Sequence, residues 1–170
     1  MTISNLSKIV TRKDVSNKIT KSIDKTRKSN NEHAFDVCSG NHTTDIEEGS
    51  EYHIDIRNKC PVGTNHVGNF HTHVHLSESN NEPIPSSGDM METIERDLKF
   101  VCVLGDHKNG KSIMRCFDNN DIKSEIGTIL NKKNLEPNED NVRKSSRLIT
   151  KRMMKDKKYL NKMSTEKIII

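Results

Sequence analysis

Val15, Ile19 and Ile23 recur at every fourth position of an otherwise polar stretch, residues 13–28. That spacing puts them on one side of a helix. Ser29-Asn30-Asn31 then breaks it. Ahead of this helix, residues 8–11 read as a short strand. Behind it the period changes. Residues 32–38 read as a strand closed by a turn at Ser39-Gly40-Asn41, and residues 52–56 alternate as a strand does. Residues 67–73 form a further strand, and 77–88 a polar loop holding Pro83 and Pro85. Met91, Ile94 and Leu98 have helical spacing, so a helix starts near Asp89. Residues 100–104 and 112–117 are apolar strands joined through 105–111, and Ile122, Ile126, Ile129 and Leu130 mark another amphipathic helix. Helices and strands are mixed along the chain, which predicts an α+β domain with helices packed on a sheet.

Charge divides the chain. Residues 1–31 hold 8 Lys/Arg against 2 Asp/Glu, residues 32–131 hold 8 against 17, and residues 132–170 hold 12 against 5. The middle segment also carries all eight His, all eight Gly, all four Cys and all four Phe. A chemistry-bearing domain is therefore expected over 1–131, followed by a basic, partly helical or disordered tail over 132–170. Residues 139–163 can form a basic helix, and clusters such as Arg143-Lys144 suit nucleic acid or an acidic partner. The near-absence of aromatics argues against single-strand stacking, so a solvated tail is the plainer expectation. No apolar run is long enough to cross a bilayer, and the first residues lack the apolar core of a secretory signal. The four widely spaced cysteines show no CxxC and read as reduced thiols, Cys38, Cys102 and Cys116 in the core. A cytoplasmic protein without a membrane partner is expected.

The candidate chemistry lies in the middle segment. His71 and His73 stand at i and i+2 on a predicted strand, so their imidazoles point to the same side. Asp89 adds an oxygen donor. Two imidazoles, a carboxylate and one open position are how a catalytic zinc is held. Ser86 precedes Asp89 by about one helical turn, which aims its hydroxyl at the same centre. His66, His75 and Cys60 are further candidates for the vicinity of that centre, with surface roles for the histidines and a free thiol for Cys60 as the plainer readings.

Glu32, His71-Thr72-His73 and Ser86-Ser87-Gly88-Asp89 together resemble the JAMM motif of the MPN-domain metalloproteases. The resemblance spans roughly residues 7–131, with the elements in the family's order. It implies a mixed sheet sandwiched by helices, similar to that of cytidine deaminases. It also implies hydrolysis of peptide or isopeptide bonds, often those joining ubiquitin or ubiquitin-like modifiers to Lys. Zn²⁺ would be held by His71, His73 and Asp89. Glu32 would move the proton of the attacking water, and Ser86 would donate a hydrogen bond to the oxyanion. Some members of the family have lost the ligands and serve as scaffolds, so the alternative is a non-catalytic MPN-like interaction domain. This chain keeps all five polar positions. It departs from the family at Val74, where a Pro is usual, and in a longer spacer between His73 and Ser86; both bear on substrate specificity. Glu47, Glu48 and Glu51 are alternatives for the proton-transferring carboxylate. Glu32 is preferred because, like the family's glutamate, it opens a strand.

Residues 105–112 also match GxxxxGK[ST] literally. A phosphate-binding loop needs a helix directly after its Lys-Ser. Here a short strand-like run follows, so the segment reads as a hairpin turn around Asn109-Gly110.

Overall fold

Leu6 and Val10 lie one helical turn apart and are both buried. They make the first element a helix, α1 (Ile3–Val10), and not the strand expected at residues 8–11. The computed structural model describes residues 3–74, 82–106 and 111–170. The four-residue repeat of Val15, Ile19 and Ile23 forms the buried face of α2 (Lys13–Ser29), closed by Asn30 in the left-handed conformation. The strands follow as β1 (His33–Cys38), β2 (His42–Thr43), β3 (Glu47–Glu48) and β4 (His66–Thr72). Then come α3 (Ser87–Glu95), β5 (Phe100–Asp106), β6 (Ser112–Asp118) and α4 (Asn119–Lys133). The chain continues through α5 (Glu139–Lys155), α6 (Lys157–Met163) and β7 (Ser164–Ile169).

The strands form one mixed sheet in the order β2-β1-β4-β5-β6-β7, with β3 also on β1. β4 and β5 run parallel, and every other pairing is antiparallel. Alternation divides the strand residues between two cores. Phe35, Val37, Phe70, Phe100, Leu104 and Met114 pack with α1 and α2. Val101 and Phe117 pack with Met90, Ile122, Ile126, Ile149 and Leu160 of the other helices. The fold is thus α+β, with a mixed sheet carrying helices.

At Gly68 a neighbouring ring sets the residue type. A Cβ built there falls 2.2 Å from Phe100 on the adjacent parallel strand. Gly68→Ala is expected to cost about 1–3 kcal/mol by overpacking. A thermal melt should show it as a fall of about 2–4 °C per kcal/mol.

Two further expectations are corrected. Residues 52–56 form no strand. Ile54 is buried, but the surrounding backbone is held by side chains: Glu47 accepts from the amides of Arg57 and Asn58, and Ser50 Oγ from that of His53. The cysteines are not free thiols. Cys38 bonds Cys60, and Cys102 bonds Cys116, its direct partner across the β5–β6 register. The inference of a reducing compartment from unpaired thiols therefore falls. Residues 132–170, expected as a basic, partly helical or disordered tail, carry α5 and α6, and the boundary after 131 falls inside α4. Ile149, Met153, Tyr159, Leu160 and Met163 are buried in the second core, and β7 pairs with β6. No helix among the described residues is long and apolar enough to cross a membrane.

Candidate metal centre

The register of β1 on β4 sets the stage. Ala34 lies opposite His71, and Asp36 opposite Asn69. Directly opposed antiparallel residues share a face, so Ala34, Asp36, Asn69 and His71 all face the α3 side. Glu32 immediately precedes β1 and lines the same cleft as His73. The small Ala34 leaves room for the His71 ring beside it.

α3 delivers the third donor. Ser86 is its N-cap: its Oγ accepts from the amide of Asp89 at 3.1 Å, and Asp89 Oδ2 accepts from the amide of Ser86 at 2.6 Å. This reciprocal capping box fixes the Asp89 rotamer at the head of the helix. Its Oδ2 then lies 3.5 Å from His71 Nε2 and 3.4 Å from His73 Nε2, and the two Nε2 atoms are 3.1 Å apart. Three atoms at such spacings all lie about 2 Å from a common point, the length of a zinc–nitrogen or zinc–oxygen bond. These three residues are the cluster of metal-ligating type found among the described residues. The donor set fits a borderline-soft divalent cation such as zinc.

Without a cation, the cluster shows its affinity for positive charge. Burial pushes the Asp89 carboxyl up, but the adjoining His71 and His73 outweigh it and hold it well below the usual range. Burial likewise disfavours protonated His71, yet Asp89, with help from Glu32 and Glu92, carries it above the ordinary imidazole value. Glu32 is shifted the other way. Burial raises its carboxyl, and the pull of His73 and His71 only partly offsets that.

Glu32, Ser86, His73 and Asp89 line one cleft of about 570 Å³, whose walls also include Tyr52, His53 and Glu92. Of the alternative glutamates, Glu51 lines the same cleft. Glu47 is committed to the amides of Arg57 and Asn58, and Glu48 to Asn31. Four of the five sequence-selected side chains thus line this cleft, and His71 adjoins it through His73 and Asp89.

Other candidates go elsewhere. His66 Nδ1 lies 2.5 Å from Asp36 Oδ2, outside the His71–His73–Asp89 cluster. Cys60 is bonded to Cys38. His75 and residues 107–110 lie outside the described residues. The GxxxxGK[ST] match ends at Ser112, which opens strand β6 and bonds Asp106; no helix follows to receive phosphate. Sequence reasoning missed Asn69, Asp36 and Arg96. Asn69 Oδ1 is 2.8 Å from His71 Nδ1, and Asn69 Nδ2 donates to Asp36 Oδ1 at 2.8 Å. The available signal was positional, since Asn69 precedes His71 by two residues on a strand.

Comparison with protein families, with curated proteins and with solved structures finds no match for this chain.

Proposed function

We propose that this protein is a zinc-dependent hydrolase of peptide or isopeptide bonds, with the JAMM/MPN architecture, acting on conjugates or fusions of ubiquitin-like modifiers. The observation that carries the reading is the convergence of His71, His73 and Asp89 beside Glu32 and Ser86 at one open cleft. The substrate class comes from the motif resemblance, and the chemistry from the side chains.

His71 Nε2, His73 Nε2 and Asp89 Oδ2 would hold the cation. Bound there, zinc supplies Lewis acidity that brings the pKa of coordinated water to about 7 and polarises a carbonyl. Glu32, a buried carboxylate held above its ordinary pKa, accepts the proton of the attacking water and returns it to the leaving amine. Ser86 Oγ already accepts from the amide of Asp89. Its own proton is therefore available to the oxygen of the scissile carbonyl, where negative charge develops. The cleft walls from Tyr52 to Ile54 and at Glu92 orient the substrate.

The test is a panel of ubiquitin-like fusions and isopeptide conjugates incubated with the zinc-loaded protein. At least one is expected to be cleaved, and Glu32→Gln should slow that cleavage about 10²- to 10⁴-fold while leaving zinc content unchanged. A zinc-loaded protein that cleaves none of them would support the non-catalytic, MPN-like interaction domain instead.

A further inference from the structure

Asp36 is fully buried and ion-paired with Arg96. Its Oδ1 accepts from Asn69 Nδ2, and its Oδ2 from Arg96. His66 stands beside this pair, its Nδ1 2.5 Å from Asp36 Oδ2 and 3.1 Å from Arg96 Nη2. Facing a guanidinium on one oxygen and an amide NH₂ on the other, the Asp36 carboxylate accepts and has no proton to give.

That fact gives direction to everything beyond it. Because Asp36 only accepts, the Asn69 amide must turn its NH₂ toward it. The Asn69 carbonyl oxygen is then forced to face His71 Nδ1 at 2.8 Å. A carbonyl also only accepts, so the imidazole proton must sit on Nδ1. The lone pair of His71 is left on Nε2, the atom that faces His73 and Asp89. The same carboxylate has a second reach. Arg96 is the C-cap of α3, and α3 carries Asp89 in its first turn. The Arg96–Asp36 ion pair pins the far end of that helix to β1.

We propose that Asp36 and Asn69 are positioning residues: a one-way hydrogen-bond relay from Asp36 through Asn69 selects the His71 tautomer whose Nε2 lone pair points at the cation site. Groups of this kind fix ring orientation and tautomer of metal-bound histidines, and losing them weakens metal binding about 10- to 100-fold. The benefit to metal affinity rests on the function proposed above, but the tautomer itself does not.

The experiment reads both. Long-range ¹H–¹⁵N NMR of the metal-free native chain, at alkaline pH where the ring is neutral, is expected to show His71 as the Nδ1–H form. In Asn69→Leu, which removes the acceptor, the Nε2–H form should appear, and zinc affinity by chelator competition should drop about 10- to 100-fold. Asn69→Asp sets a carboxyl against Asp36, where one proton must bridge the two, but it keeps an oxygen beside Nδ1 and should keep the native tautomer. An Nε2–H ring in the native metal-free chain overturns the relay, whether or not either variant folds. So does a folded Asn69→Leu with unchanged tautomer and unchanged zinc affinity. A native chain that takes up no zinc overturns the hydrolase reading instead, and the tautomer still decides the relay.

Discussion

His71→Ala is expected to reduce bound zinc from one ion per chain to none, and peptide or isopeptide hydrolysis is expected to vanish with it. Three donors spaced 3.1–3.5 Å apart make up the protein's share of the candidate site. Removing one leaves an imidazole and a carboxylate, two short of the four-coordinate shell that zinc prefers. The fold should survive, since the ring's polar contacts are with Asn69, His73 and Asp89, at or beside the site. Asp89 calls for a subtler substitution. Asp89→Ala would also remove the capping box of α3, worth about 0.5–2 kcal/mol. Asp89→Asn keeps an oxygen for the Ser86 amide while discarding the charge, so it separates ligation from capping. Metal analysis after gel filtration, with circular dichroism as the check on folding, decides both. A folded His71→Ala protein that retains one tightly held zinc would place the ion elsewhere.

Glu82→Ala is expected to be the most destabilising single change away from the cleft. Arg115 is buried in the sheet and donates to Glu82 Oε2 at 2.8 Å, to Ser164 Oγ at 2.7 Å and to Asn161 Oδ1 at 3.0 Å. Lys167 reaches the other oxygen of Glu82 at 2.9 Å. Deleting the carboxylate strands a buried guanidinium, which costs about 3–5 kcal/mol. Chemical denaturation should show a lower midpoint with an unchanged slope. The pair also predicts acid sensitivity. Burial raises the Glu82 carboxyl, but Arg115 and Lys167 outweigh it and leave it below the ordinary glutamate value of 4.5. A depressed folded-state pKa means the contribution is complete above that value and fades as pH falls through the folded one. Native stability should therefore drop on acidification below about 4.5, and Glu82→Ala should lack that component.

Features of the fold with a short repeat were legible in the sequence. Val15, Ile19 and Ile23 announce α2, and the apolar runs at 100–104 and 112–117 announce β5 and β6, because burial imposes a local period on each. The candidate centre was legible for a similar reason. His71 and His73 are two residues apart on a strand, and Ser86 and Asp89 sit three apart at a helix start, so each pair converges by local geometry. Partners chosen by register were not legible. Cys102 meets Cys116, and Asp36 meets Asn69, only because of how strands line up, and nothing nearby in the chain encodes that alignment. The C-terminal segment was hidden in part by its charge. Its helical character was legible, but with Lys and Arg prominent in α5 and α6 the sequence did not show that Ile149, Met153, Leu160 and Met163 are buried in the second core.

The place of β7 in the sheet has a consequence for how the protein is made. As the chain leaves the ribosome, β6 is an open edge, and Arg115 lacks Asn161, Ser164 and Lys167 until the last strand emerges. The loop that bears Glu82 and leads to Ser86 cannot settle against a finished ion cluster before then. The ion cluster around Arg115 is thus completed only once β7 has been made, and a product terminated ahead of β7 would carry the histidines without that support.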